Sequence, residues 1–341
     1  MARRSRYLGG GKPMARTRSK ILSAAAIIAG LQFAATAQAE PTTLKFGFNQ
    51  GSVTLFQSLG FKVAIERGFL EKEDITLDVH MLAGSYHQVE ELDAGTVDVT
   101  YVAVTDLVPE VIDGSDAVAI VGGPRNPVYA MIARPDITSI DQLEGKPIAI
   151  SLPADIITLA ADDLFAAHNL KGYEPVLLLG SVNRAECLKA GDCAAAMLAQ
   201  PFDISLAKEG YNVVGSSHEV YQDLQYTVYA ARRAWAEENK ELMVRFARAM
   251  GESYKYIADP ANKDDVIALA VEMTGQPIEI VQELYAADYE PYNGVLPKHG
   301  EISLSGFAKV IELMHRADAI SEVWPTEKFV DTQYLEAAGM Q

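Results

Sequence analysis

The chain has 341 residues, 49% of them hydrophobic and 22% charged, which excludes a mostly disordered polypeptide and leaves room for two cores. Its 46 acidic residues outnumber 29 basic ones, for a formal charge of −17. Seven of the cations lie in the first 39 residues, where there is no acid, so the rest of the chain carries −24. A body that acidic repels phosphate backbones and anionic lipid, which argues against nucleic acid and membrane surfaces as partners.

The basic opening runs into residues 21–33, thirteen residues without a charge, and then into Ala37-Gln38-Ala39. A short apolar stretch followed by small residues at −3 and −1 reads as a secretory signal peptide, residues 1–39, cut after Ala39. It is shorter than the roughly 20 apolar residues that span a bilayer. Met14 opens a complete signal of its own, so either Met1 or Met14 can be the start. No cysteine lies near the cut, so a lipid anchor there is not expected, and the mature protein is expected to be periplasmic. Cys187 and Cys193 are the only cysteines, in a compartment where disulfides persist. On one continuous helix they would stand about 9 Å apart along the axis, beyond the ~7 Å limit of a bridge. Gly191-Asp192 supplies the turn that a disulfide needs; two buried thiols are the alternative. No metal or cofactor is expected.

In chain order, residues 44–48 read as a strand, 55–69 as a helix and 75–82 as an alternating strand. Gly84-Ser85 breaks the chain before a helix over 86–92, and 97–104 is an apolar strand. The same β-α-β-α-β order returns with a strand at 146–151, a helix at 153–168 and a strand at 175–179. Gly180-Ser181, a helix at 182–189 and a strand at 194–198 complete it. Gly84-Ser85 and Gly180-Ser181 are 96 residues apart, and so are Ala94-Gly95 and Ala190-Gly191. Either an internal repeat or shared turn chemistry explains the match. Extended segments near 128–133 and 225–231 are placed to carry the chain out of a first lobe and back. From 235 onward the pattern is mostly helical and is expected to pad the first lobe.

Certain residues carry a family resemblance: Leu44-Lys45-Phe46-Gly47, Ala64-Ile65-Glu66-Arg67-Gly68-Phe69-Leu70 and Leu92-Asp93-Ala94-Gly95-Thr96-Val97-Asp98-Val99. To these are added Ile140-Asp141-Gln142-Leu143-Glu144-Gly145-Lys146-Pro147-Ile148-Ala149 and Ala199-Gln200-Pro201. From about residue 44 to about 335 the chain resembles the periplasmic solute-binding components of ABC transporters. Within them it is similar to the group that holds sulfonate, taurine, nitrate and NMT1/THI5-like pyrimidine-precursor proteins. The resemblance implies an α/β, two-lobed periplasmic-binding-protein fold of the type II kind, with two hinge crossings and a ligand cleft between lobes. The expected lobes are 40–130 and 229–341 for the first and 131–228 for the second. It also implies a monomer that captures a small-molecule solute and hands it to an ABC permease in the inner membrane with its cytoplasmic ATPase. A ligand-sensing receptor and a precursor synthase-like enzyme are the competing readings.

In such a fold, loops at the carboxyl ends of parallel strands face the ligand. They are residues 49–52, 84–86 and 103–106 in the first lobe, and 151–155, 180–184 and 200–203 in the second. The candidate ligand-binding residues are Asn49, Gln50, Ser52, Ser85, Tyr86, Thr105, Arg125, Tyr129, Ser151, Asp155, Gln200 and Tyr226. Arg125 could clamp an anion in bidentate fashion or be a hinge arginine, with Arg184 as a weaker candidate. Asp155 either caps a helix or contacts a cationic or N–H-rich group. It makes an inorganic oxyanion less attractive, as does Pro153, which lacks an N–H. Tyr86, Tyr129, Phe202 and Tyr226 could stack on a planar ring. The expected solute is aromatic or heterocyclic, or a carboxylate or sulfonate. No nucleophile elbow or His-Glu-x-x-His motif occurs, and Ser217-His218 has no evident third partner. A catalytic residue is therefore not expected.

Overall fold

The computed structural model describes residues 41–52, 56–82, 87–289 and 294–340. The signal-peptide segment, Ser85 and Tyr86 lie outside them. Among the described residues are two five-stranded sheets. The first contains β1 (Thr42–Asn49), β2 (Ile75–Leu82), β3 (Val99–Ala103), β4 (Ala117–Gly122) and β10 (Thr227–Arg232). The second contains β5 (Tyr129–Ala133), β6 (Pro147–Ile150), β7 (Glu174–Leu177), β8 (Ala195–Ala199) and β9 (Asn212–Ser216). Their orders are β2-β1-β3-β10-β4 and β7-β6-β8-β5-β9, the same arrangement twice. In each sheet one strand is antiparallel to both neighbours. It is β10 in the first and β5 in the second, and each directly follows a crossing between lobes.

Residue chemistry explains which strands sit where. β3, β4, β5, β8 and β10 are nearly continuous apolar runs, buried along almost their whole length. That is what a strand covered on both faces requires. The edge strand β2 carries Asp78 and His80, and the edge strand β7 carries Glu174 and Pro175. Charge and a residue without an N–H both suit an open edge.

Helices fill the connections: α1 (Leu59–Glu66), α2 (Phe69–Lys72), α3 (His87–Asp93), α4 (Val104–Ile112), α5 (Ile156–Ala167), α6 (Ser181–Ala190), α7 (Phe202–Lys208) and α8 (Ser217–Val220). The C-terminal third adds α9 (Arg233–Glu238), α10 (Lys240–Ala258), α11 (Lys263–Thr274), α12 (Ile278–Tyr289), α13 (Leu304–Arg316) and α14 (Gln333–Ala338). The helix expected over 55–69 is broken. A 3₁₀ turn spans Phe56–Ser58, and Gly68, at φ 67°, separates α1 from α2. The helix expected from 153 starts at Ile156, because Asp155 caps it. β4, β9, α4 and α7 had no counterpart in the sequence reading.

The first lobe's core is aromatic. Phe46 stacks on Phe61 at 4.3 Å, Phe48 on Phe61 at 5.1 Å, and Tyr229 meets Phe246 edge-on at 5.7 Å. One face of the second sheet is lined instead by Ala130, Ile132, Ala149, Ala196 and Leu198, against Ala185, Leu188 and Leu206. The disulfide Cys187–Cys193 borders it with a Cα–Cα distance of 5.5 Å, so the buried-thiol alternative is set aside. Gly191, at φ 81°, ends α6 in the left-handed conformation and turns the chain between the two cysteines.

The crossings run side by side. Tyr226 N donates to Arg125 O (2.9 Å) and Thr227 N to Pro124 O (3.1 Å). The buried amides of Asn126 and Gln225 fasten them further. Asn126 bonds Gln222 O, Gly294 O and Leu224 N, and Gln225 bonds Gly123 O, Thr227 O and Ser303 N. Gly306 of α13 lies against the backbone of Leu224, where a side chain would collide with it.

Candidate functional site

Of the loops nominated from sequence, 49–52, 103–106, 151–155, 180–184 and 200–203 follow β1, β3, β6, β7 and β8, while 84–86 lies outside the described residues. Asn49 ends β1, with Gln50 exposed and Ser52 half-buried just beyond it. The carbonyl of Ser52 accepts from the Ser58 hydroxyl at 2.8 Å. Thr105 is half-buried in the first turn of α4. Ser151 follows β6, and its hydroxyl donates to Asp155 Oδ2 (2.7 Å); Asp155 Oδ1 accepts from Ile157 N (2.9 Å). Asp155 is therefore the N-cap of α5, and it ties the strand tip to the helix.

Tyr129 and Tyr226, one on each crossing, meet through their hydroxyls at 3.0 Å, with their rings edge to face. Gln57, from the first lobe, lies beside Tyr129 and opposes the rise of its pKa. Burial pushes the Tyr129 phenol up, and the nearby Asp155 carboxylate adds to this. Burial pushes Tyr226 up as well, with Tyr129 and then Asp155 contributing. Tyr129, Tyr226, Ser151 and Asp155 thus form one cluster where the lobes meet.

Gln200 joins a second cluster. A cis peptide bond links it to Pro201 after β8, and its Nε2 donates to Asp288 Oδ1 on α12 at 3.3 Å. Asp203, in the first turn of α7, is pushed up to about 6 by burial, against backbone N–H groups that hold it down. Burial raises Asp288 to about 7, Gln200 opposes the shift, and the Asp203 charge adds to it. α12 packs on α11, and Tyr289 meets Phe56 of the first lobe at 5.5 Å. Lys208–Glu283 (3.0 Å) bridges α7 to α12 on the outside.

Several buried polar atoms here have no partner among the described residues: Gln57 Nε2, Thr158 Oγ1, Gln200 Oε1, Asp203 Oδ1 and Tyr289 Oη. Buried polar groups in folded proteins are nearly always bonded, which makes these five unpartnered atoms candidate ligand contacts.

Other nominated residues are turned elsewhere. Arg125 Nη2 is held by Asp223 at 2.7 Å, on the hinge. Arg184, 1% exposed, donates to Met197 O, Leu178 O and Ser181 Oγ. Burial lowers its pKa, while Tyr129, Asp155 and Tyr226 pull it back up. Phe202 packs on the alanine-lined cluster. The Ser217 hydroxyl donates to Pro127 O and receives Tyr129 N, pinning the crossing with no link to His218. A surface cavity of about 360 Å³ on the hinge side, lined by Asp163, Tyr221, Asp223, Lys309 and Arg316, lies away from the strand tips.

Gln57, Thr158, Asp288 and Tyr289 were missed from sequence. One signal was readable: Ile280, Val281, Leu284, Tyr285 and Asp288 share the buried face of α12, an acid on an apolar stripe.

Two α/β sheets of one strand order, joined by paired crossings, make the bilobal periplasmic-binding-protein fold. The alkanesulfonate-binding protein SsuA of Xanthomonas axonopodis pv. citri, solved with MOPS, superposes with a TM-score of 0.67. It is 15% identical, over 86% of this chain and 99% of that one. The nitrate-binding protein NrtA of Synechocystis PCC 6803 gives 0.68 at 14% identity, over 88% of this chain and 89% of that one. YtlA of Bacillus subtilis (strain 168), provisionally named as a binding protein, is 21% identical over 228 residues, 64% of this chain and 68% of that protein. The NMT1/THI5-like family model matches residues 56–263, more than half of the chain. The chain belongs to that family.

Proposed function

We propose that this protein is the extracytoplasmic solute-binding component of an ABC importer. It captures one small organic solute between its lobes and delivers it to a membrane permease. The observation that carries the reading is the single strand order shared by two sheets joined by paired crossings, together with the unpartnered buried polar atoms of Gln57, Thr158, Gln200, Asp203 and Tyr289 among the described residues. Names among the relatives, sulfonate binding for SsuA and nitrate binding for NrtA, point the same way. Closure about the paired crossings lets a solute bury surface on both lobes at once, and those extra contacts favour the closed form. A permease that reads the closed form then receives only loaded protein.

The proposed contacts from the sequence reading are Tyr129, Tyr226, Ser151, Asp155 and Gln200, with Asn49, Gln50, Ser52 and Thr105 on the opposite strand tips. Ser85 and Tyr86 belong to the same proposal by their place in the chain. Both cysteines are joined to each other, and Ser217 is engaged with the crossing, which supports binding over nucleophilic catalysis.

A thermal-shift screen of the mature chain, residues 40–341, against sulfonates, aromatic acids, pyrimidines and nitrate tests the reading. A tight solute at a thousandfold excess over Kd stabilises the native state by about 4 kcal/mol. Mass spectrometry should return the hit unchanged; turnover would replace the binding reading with an enzymatic one.

A further inference from the structure

On the hinge side, one helix reaches both halves of the molecule. α13 is rooted in the first lobe: Phe307, Val310, Ile311 and Met314 are buried, Phe307 stacks on Phe329 at 5.9 Å, and the helix packs on α4. Lys309, Glu312, Leu313 and Arg316 follow the i, i+3, i+4, i+7 spacing of a second face. That face lines the 360 Å³ cavity together with Asp163 of α5 and residues 220–224 of the returning crossing. A carboxylate stands at each end of it. Asp223 accepts from Arg125 Nη2 at 2.7 Å and from the hydroxyls of Ser303 and Ser305 at 3.2 Å each. Asp163 accepts from Arg316 Nη2 at both oxygens, 2.6 Å each, and from the Tyr221 hydroxyl at 2.7 Å.

The two ends join different things. Asp223 lies on a crossing, so its bonds sit at the pivot of any lobe rotation. Asp163 lies within α5, which packs on β6 and β8 of the second sheet, so its bonds to Arg316 run from one lobe to the other. Between the two carboxylates the lobes are separated by a cavity, not joined by interlocked side chains. Polar bonds across such a gap break and re-form as the gap changes width, which a close-packed apolar seam does not allow. Three short bonds, two of them charge-assisted and one from a tyrosine only 5% exposed, set Asp163 apart from an isolated surface pair. In the same structure the lobes also touch elsewhere, through Gln200 Nε2–Asp288 Oδ1 at 3.3 Å and Lys208–Glu283 at 3.0 Å. The Asp163–Arg316 pair is therefore made in a lobes-together arrangement.

We infer that Asp163, Arg316 and Tyr221 form a latch across the outer side of the hinge, one that favours the lobes-together arrangement from a position outside the strand tips. It sets the balance between open and closed forms, and with it the apparent affinity for any solute that needs closure. The inference rests on the hinge motion proposed above and is independent of which solute is bound.

The test is pulsed electron paramagnetic resonance on the mature chain, with spin labels on Glu241→Cys in the first lobe and Lys171→Cys in the second. Both positions are exposed, and the native disulfide is kept. Arg316→Ala and Asp163→Asn should each raise the ratio of lobes-apart to lobes-together distances about two- to fivefold, while circular dichroism shows the fold unchanged. The reversed pair, Asp163→Arg with Arg316→Asp, should restore the parent distribution, and Lys309→Ala, on the same face of α13, should leave it unaltered. Lys208→Glu, set against Glu283, reads the lobe motion independently. A shift with Lys208→Glu and none with the Arg316 and Asp163 variants overturns the latch and leaves the hinge motion standing. No shift with any variant overturns both. A shift that the reversed pair does not undo, or that Lys309→Ala matches, overturns the assignment to this pair.

Discussion

The two lobes share a strand order but not a way of holding it. The first sheet is fixed by ring on ring, Phe46, Phe61, Tyr229 and Phe246, with α10 and α14 packed together behind it. The α6/α7 face of the second sheet is paved with alanines, and a disulfide borders that cluster. Small side chains bury little area each, at about 25 cal/mol per Å². A covalent tie that restricts the unfolded chain contributes stability that such a face cannot draw from packing. The same topology can therefore be held mainly by burial in one half and partly by a cross-link in the other.

The largest expected effect falls on the aromatic side. Phe46→Ala should cost about 3–5 kcal/mol, read as a lower urea midpoint with hydrogen exchange loosening first in β1–β3. A loss below about 1 kcal/mol would break the contrast between the lobes.

Next comes the acid pair between them. Asp288 and Asp203 titrate in the folded state near 7 and 6, above the roughly 3.9 of an unfolded aspartate. Their contribution to stability is full below pH ~4 and is lost as pH rises through 6 to 7. The Asp203→Asn/Asp288→Asn double variant should match the parent near pH 4 and exceed it near pH 8 by a few kcal/mol, at about 1.4 kcal/mol per pKa unit. A difference curve that stays flat between those pH values would remove the raised pKa values.

Replacing both cysteines, Cys187→Ser with Cys193→Ser, should cost about 2 kcal/mol for so short a loop. Exchange should rise in α6 and β8 and stay unchanged in β1–β3; a uniform rise would show that the tie serves the whole molecule. The smallest effect is Lys208→Ala. Its exposed pairing with Glu283 is worth about 0–1 kcal/mol, so a larger change in melting temperature would make α12 a stronger strap than its surface suggests.

Much of the fold was legible because its signals are local. Alternation in 75–82 gave β2 to the residue, Gly180-Ser181 placed the start of α6, and the Ala-Gly pairs placed the ends of α3 and α6. The turn at Gly191 pointed to the disulfide. β4 and β9 were passed over, although 117–122 is a continuous apolar run. The tips of β1, β6 and β8 followed from the strand assignments. Gln57 and Asp288 did not, because Tyr129 and Gln200, the residues they meet, are distant in sequence, and nothing local announces a long-range partner. Arg125 and Arg184 looked available in sequence because neither Asp223 nor the Leu178 and Met197 carbonyls can be assigned to them without the fold. Asp155, read as either cap or contact, caps α5, and its contact role stays part of the proposal.

The strand that separates β3 from β4 is β10, more than a hundred residues downstream of both. The five strands of the second sheet, by contrast, all fall between Tyr129 and Ser216. A polypeptide released amino end first can therefore finish its later-encoded sheet while the earlier one still has a slot open. Any fragment ending short of Thr227 leaves β3 and β4 without the partner that joins them, so cutting the gene there orphans the half that was translated first.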